Sequence, residues 1–217
     1  MPDEESRWGI GNLVNEEIYK RVRTINEKAV ANSTTGGPSQ KMADFWLSAM
    51  DTLGIEQAGI KPLQPELDKV NALKDIPSML QLIADWQTKG ISRAFSMFVF
   101  QDSKNSEQMA LYIYQGGLGL PNRDYYFNTD DRTTNIRKEY IKHLAAMLHL
   151  TGDDTLTAAT NAATIMKLET RLAKASRKLE ALRDPYANYN KFAVTDIKKL
   201  TPAVDWKAWA TSIISIN

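Results

Sequence analysis

Apolar residues recur at helical spacing over most of the chain. Val14, Ile18, Val22, Ile25 and Ala29 alternate with Glu16, Glu17, Lys20 and Arg21, which predicts an amphipathic helix over about Leu13 to Asn32. Ser33-Thr34-Thr35-Gly36-Gly37-Pro38-Ser39 breaks it. Met42, Phe45, Trp46, Ala49, Met50 and Leu53 then predict a second helix ending at Gly54 as a C-cap, so that the two helices form an antiparallel pair. Pro65 and Pro77 stand where first-turn prolines stand in helices, and Leu80, Ile83, Ala84 and Trp86 give the second of these an apolar face that ends near Gly90.

The period changes from Ala94 to Tyr114. Phe95, Met97 and Val99 alternate with Ser96, Phe98 and Phe100. After the polar run Asp102-Ser103-Lys104-Asn105-Ser106, Met109, Leu111 and Ile113 alternate with Ala110, Tyr112 and Tyr114. Aromatic and β-branched residues around a polar turn predict a β-hairpin over 94–115, and apolar residues on both faces predict cover on both sides.

The segment from Gly116 to Tyr126 is too rich in glycine and aromatic residues for a linker and reads as an ordered loop. Ile136, Tyr140, Ile141, Leu144, Met147 and Leu148 predict a helix closed by Gly152. Asp154 is an N-cap candidate for a long helix reaching Arg183, about eight turns, before Pro185 stops it. Thr195 and Asp205 read as N-caps of two short final helices, the last carrying Trp206, Trp209, Ile213 and Ile214. The fold class is therefore mainly α: a multi-helical lobe with one long helix and one β-hairpin. No internal repeat or low-complexity stretch divides it.

Composition narrows the chemistry. The chain has 217 residues, 43% hydrophobic and 24% charged, enough to bury a sizeable core. With 27 basic and 26 acidic side chains its formal charge is +1, which gives no bulk attraction to nucleic acid. The absence of cysteine excludes disulfides, thiolate metal sites and thiol nucleophiles within the chain. No stretch reaches the roughly 18 apolar residues that span a bilayer, and Met1 to Ser6 has no signal-like apolar core.

The two histidines, His143 and His149, lie six residues apart on one helix, about 240° from each other around its axis, and cannot share a metal ion. No nucleophile elbow, phosphate loop, dinucleotide fingerprint or His-Glu-x-x-His motif occurs. Glu169, beside Arg171 or Lys174, and Asp102 at the hairpin turn are acid/base candidates by residue type alone. The competing reading, structural ion pair or solvated face, is the stronger. Asn32-Ser33-Thr34 matches a glycosylation triplet and also reads as a polar turn.

Several segments taken together carry a resemblance. They are Ser6-Arg7-Trp8-Gly9, Val99-Phe100-Gln101-Asp102-Ser103-Lys104-Asn105, and Gln115-Gly116-Gly117-Leu118-Gly119-Leu120-Pro121-Asn122-Arg123-Asp124-Tyr125-Tyr126. In the same order follow Glu169-Thr170-Arg171-Leu172-Ala173, Arg183-Asp184-Pro185, Tyr189-Asn190, Pro202 and Asp205-Trp206. The chain resembles, over essentially all its length, the non-catalytic N-terminal part of the neprilysin and endothelin-converting enzyme family of zinc metallopeptidases, in a bacterial member.

That resemblance implies a mostly helical, two-lobed endopeptidase of oligopeptides, with zinc held in a catalytic lobe by His-Glu-x-x-His and a downstream glutamate. This chain would then be the cap-lobe part, inactive alone, with its hairpin packed on the catalytic lobe. The zinc motif would lie beyond Asn217, and a family stretch would be missing ahead of Ser6. The implied partners are the C-terminal catalytic domain of the same polypeptide and peptide substrates, and the implied location is outside the cytoplasm.

The resemblance implies that Arg7 binds a peptide's free C-terminal carboxylate, the competing reading being that it only anchors the N-terminal segment, and that Asn12 stands where relatives carry an aspartate. Asn12 can hydrogen-bond but cannot form a charge pair with Arg7. The loop from Leu118 to Tyr126 reads as structural: Arg123 and Asp124 pair with backbone, while Tyr125 and Tyr126 add buried area and hydroxyl bonds. A hairpin made to pack on an absent lobe would leave an apolar patch through which the chain self-associates. The competing reading is a free-standing helical binding or scaffold module.

Overall fold

Gly9 opens α1 (Ile10–Asn32) with extended backbone, and its N–H donates to Asn12 Oδ1 at 3.1 Å, which starts the helix a turn before the apolar spacing does. In the computed structural model, residues 8–91, 95–202, 204–206 and 209 are described. A turn closed by the Gly37 N–H donating to the Thr34 carbonyl, with Gly36 at φ +81°, leads into α2 (Pro38–Met50), which packs against α1.

Gly54 does not end a helix. Asp51 leaves helical geometry after Met50 and restarts α3 (Thr52–Ala58) by accepting the Gly54 N–H at 2.9 Å. Gly54 thus sits in a first turn, where a Cβ would collide with the Asp51 carboxylate. Asp51, Asp75, Asp130 and Asp154 each cap a helix start, because a carboxylate satisfies first-turn N–H groups that have no partner inside the helix.

The chain divides into two compact units, Met1–Pro62 and Leu63–Asn217. The second begins with a short 3₁₀ turn's last residue, then α4 (Gln64–Asn71) and α5 (Ile76–Thr88), with Pro65 and Pro77 in their first turns as expected. Trp86 Nε1 donates to Glu66 Oε2 at 2.6 Å, and Lys69 and Lys89 each bridge Glu66 and Asp85. These ion pairs are largely exposed, so geometry and helix register gain more from them than stability does.

The hairpin forms from β1 (Ser96–Asp102) and β2 (Asn105–Tyr114), paired antiparallel from Ser96 opposite Tyr114 to Gln101 opposite Met109. The register shifts between Gln101 and Asp102, so Asp102 faces Asn105 and the turn narrows to Ser103 and Lys104. The expected five-residue turn is therefore shorter, because the Asp102 carboxylate accepts the Lys104 and Asn105 N–H groups at 2.8 and 3.2 Å.

The glycine-rich loop runs into α6 (Asp124–Phe127), followed by α7 (Asp131–Leu150) and α8 (Thr155–Ala175). Ala158, Ala162 and Ala173 are 0–1% exposed on one face of α8, and their small side chains let α7 pack closely against it. Leu120, Tyr126 and Ala173 form the buried core here, with Leu118, Tyr125, Ile136, Tyr140 and Met166 against them.

The long helix stops at Ala175, short of Arg183, after about six turns. Arg123 supplies the reason: its guanidinium donates to the Ala173 and Lys174 carbonyls at 2.8 and 3.0 Å, which satisfies helix-end acceptors while Ser176 turns extended. A 3₁₀ turn (Ala181–Arg183) and α9 (Val194–Leu200) follow. Ala193 occupies the N-cap of α9 and makes no side-chain cap bond, so Thr195 lies inside the first turn. The helix expected after Asp205 falls mostly outside the described residues. Of its apolar positions Trp206 and Trp209 are described: both pack on Phe95, and Trp209 Nε1 donates to the Leu80 carbonyl at 3.0 Å.

Candidate docking hairpin and its anchors

A two-stranded sheet is marginal in water unless something holds it. Phe98 lies opposite Tyr112 in the register, and the two rings stack at 5.3 Å and 1°. Tyr112 also closes the turn: its hydroxyl donates to the Gln101 carbonyl at 3.0 Å and accepts the Ser103 N–H at 3.1 Å. At the base, Gln87 Nε2 donates to the Met97 carbonyl at 3.3 Å and ties β1 to α5.

The expected cover on both faces is not found in the described structure. Val99, Phe100 and Met109 are 58, 61 and 63% exposed, and Phe98, Leu111, Ile113 and Tyr114 each exceed 40%. These residues come from both alternating sets of the strands, so an apolar patch stands open on both sides.

Against this exposed sheet Asp102 is an exception, 4% exposed. Lys191 Nζ reaches its Oδ2 at 2.7 Å, and the Tyr189 hydroxyl donates to the same carboxylate at 3.0 and 3.2 Å. Lys104 lies over the Tyr189 ring at 4.3 Å. The Lys191 ammonium, then the Lys104 backbone N–H, holds the Asp102 carboxyl down at about 2, and the same contact raises Lys191. Partial burial, then the carboxylate, raises the Tyr189 hydroxyl. A carboxylate held ionised and fully bonded is a structural pin rather than a proton carrier.

The other acid/base candidate has different partners from those expected. Glu169 is 9% exposed and meets neither Arg171 nor Lys174; the Tyr126 hydroxyl donates to its Oε2 at 2.6 Å and the Tyr140 hydroxyl to its Oε1 at 3.0 Å. Tyr126 in turn accepts the Leu120 N–H at 3.1 Å, so the carboxylate fastens the glycine-rich loop to α7 and α8. Burial, then the Glu169 carboxylate, pushes the Tyr140 hydroxyl up to about 12 and the Tyr126 hydroxyl higher still. Gly119 is required here: a Cβ would strike the Tyr140 hydroxyl and stand 3.1 Å from Glu169 Oε1.

Arg7 lies outside the described residues. Asn12 sits half-buried in the first turn of α1, its side-chain oxygen engaged by Gly9. His143 and His149 are exposed on α7, and His149 Nδ1 contacts the Asp153 carbonyl at 2.8 Å. Among the described residues no three His, Asp or Glu side chains converge to hold a metal ion, so those residues do not fit a zinc site. Nor is any helix among them long and apolar enough to cross a membrane.

Sequence spacing missed the pairings over long separations. Gln115 brackets the Arg177 peptide, accepting its N–H at 2.9 Å and donating to its carbonyl at 3.3 Å, across 62 positions of sequence. Lys191 and Tyr140 were equally invisible, since a lysine near a loop and a tyrosine on an apolar helix face carry no local signal.

Comparison with known proteins agrees over the whole length. The model for the N-terminal part of peptidase family M13 matches residues 1–217. Endothelin-converting enzyme 1 of Cavia porcellus is 28% identical over 224 residues, which take in 98% of this chain and 29% of that protein. Neprilysin-3 of Drosophila melanogaster is 26% identical over 218 residues, 95% of this chain and 27% of that protein. The crystal structure of the Mycobacterium tuberculosis zinc metalloprotease Zmp1 in complex with inhibitor superposes with a TM-score of 0.86 at 26% identity, covering 98% of this chain and 32% of that one. The open state of the same protease gives 0.79. This chain thus spans less than a third of the length of these relatives.

Proposed function

The chain belongs to peptidase family M13, and from that premise we propose that it is the non-catalytic part of a zinc-dependent endopeptidase, capping a chamber and gating which peptides enter. The observation that supports this most is the hairpin, an apolar sheet open on both faces yet pinned at its tip and base. Isolated proteins rarely keep such a surface uncovered, and a partner that supplies the missing apolar contact removes it from water. In this reading the partner is the catalytic part of the same polypeptide, which carries zinc on a His-Glu-x-x-His helix and performs the chemistry. The chain alone is inactive, since its two exposed histidines lie apart on α7.

Two finer assignments go with that reading. Arg7 binds the C-terminal carboxylate of a peptide substrate, for which a guanidinium fork is suited, and Asn12 supports it only by hydrogen bonding. The protein acts outside the cytoplasm, as the family resemblance implies.

The test uses the chain and the separately produced catalytic part. Calorimetry should show association with a negative heat-capacity change, the mark of apolar burial, and Phe100→Ser with Met109→Ser should abolish it. Equal affinity for the doubly substituted chain would remove the hairpin from the interface.

A further inference from the structure

Both far ties of the hairpin end on one loop. At the base Gln115 grips the Arg177 peptide, and at the tip Asp102 and Lys104 meet Tyr189 and Lys191. Between those points the loop is bonded to itself. The Arg177 guanidinium donates to the Ala187 carbonyl and Asn188 Oδ1 at 2.9 and 2.6 Å. Asn188 Nδ2 donates back to the Ala181 and Asp184 carbonyls at 2.9 and 2.6 Å, and the Asp184 carboxylate accepts the Tyr186 and Ala187 N–H groups. These bonds close residues 177–188 on themselves, so the base of the loop keeps its shape whether or not its far end is held.

We infer that residues 177–191 are a strap clasped at Asp102, and that this clasp sets the pose in which the hairpin meets the catalytic part; the inference rests on the docking reading above. The geometry singles out Asp102. Among the described residues its carboxylate, with Lys104 two positions on, ties the hairpin tip to Tyr189 and Lys191 of the loop. The carboxylate is 4% exposed in a strand whose neighbours are open to water, so it is enclosed by the strap and not by the sheet. Opening the clasp therefore releases the tip and residues 189–191 together, while Gln115 at the base, and α7 and α8 beyond it, stay in place. Asp102, Tyr189 and Lys191 are positioning residues: they act on the partner through the hairpin.

Hydrogen exchange on the 217-residue chain tests the clasp directly. Asp102→Asn keeps the size and the turn-closing acceptor but loses the charge, and Lys191→Met keeps the stem but loses the ammonium. Each should speed exchange at the tip amides and in residues 189–191 by about tenfold or more, in step, with α7 and α8 unchanged. The double variant should be no worse than either single one, because both remove the same contact. Faster exchange at the tip without the strap, or additive effects in the double variant, would overturn the clasp. The docking reading fails separately, if the wild-type chain does not bind the catalytic part at all. With docking present, Asp102→Asn should weaken it about tenfold, and unchanged affinity would mean that the clasp does not set the pose.

Discussion

Replacing Gly119 by alanine puts one methyl group where the structure has no room. The new Cβ would overlap the Tyr140 hydroxyl and come within 2.7 Å of the ring carbon that bears it, with Glu169 Oε1 at 3.1 Å. Tyr140 must withdraw, which breaks its 3.0 Å bond to Glu169 and leaves a carboxylate 9% exposed with Tyr126 as its remaining donor. Overpacking costs about 1–3 kcal/mol, and a buried acceptor short of a partner costs about 1–3 kcal/mol more. The smaller unfolded-state entropy of alanine returns about 0.4–1 kcal/mol. The net loss is about 3 kcal/mol, which for a unit of this size lowers Tm by about 6–12 °C. Calorimetric or circular-dichroism melting of purified chains measures it. Two controls isolate the cause. Tyr140→Phe in the Gly119→Ala background should recover part of the loss by removing the colliding oxygen. Gly11→Ala, where a Cβ meets nothing within 4 Å on α1, should stabilise the chain by up to about 1 kcal/mol. A Gly119→Ala chain melting within a degree of wild type would refute the account of this loop.

Other substitutions address other parts of the fold. Arg123→Met removes two charge-assisted bonds to the end of α8 and should cost about 2–3 kcal/mol, with faster exchange confined to the last turn of α8 and residues 176–178 in hydrogen-exchange mass spectrometry. Asp102 has its folded pKa depressed to about 2, so its contribution to stability is present above its unfolded value of about 4 and is lost as pH falls from there towards 2. The stability difference between wild type and Asp102→Asn, read from urea melts, should be constant above about pH 5 and shrink below pH 4. Sedimentation velocity should show self-association of the isolated chain that Phe100→Ser reverses, whereas a clean monomer at all concentrations would argue against an adhesive hairpin. In the assembled enzyme, Arg7→Met should lower kcat/KM for peptides with a free C-terminus and leave their amidated forms unchanged, as measured by chromatography of the products.

The pattern of apolar positions is enough to place α1, the first-turn prolines of α4 and α5, the hairpin and the Asp154 start, because periodicity and capping are local properties of sequence. What it could not place were decisions made by distant partners. The end of α8 at Ala175 is set by Arg123, which lies 50 positions before Ala173, and nothing within Ala173-Lys174-Ala175-Ser176 announces it. Gly54 reads as a helix stop until Asp51 is seen recapping the chain. Glu169 looked like half of an ion pair because basic residues flank it on the helix, yet burial turns it inward to two tyrosines, and the neighbouring cations stay on the exposed face. Asp102 was legible as a carboxylate at a turn, but its role depends on Lys191, across 89 positions. The segments that carry the resemblance include these same anchors: Asp102, Gln115, Gly119, Arg123, Tyr126, Glu169 and Tyr189.

In the proposed function this chain serves a zinc peptidase whose chemistry resides in another part of the same polypeptide. Hydrolysis of a quenched-fluorescence oligopeptide by the chain, by the separately produced catalytic part, and by their mixture tests it most directly. The mixture should cleave, a chelator should stop cleavage and added zinc restore it, and the chain alone should be silent. Cleavage by the purified 217-residue chain alone, persisting after zinc has been chelated, would contradict it.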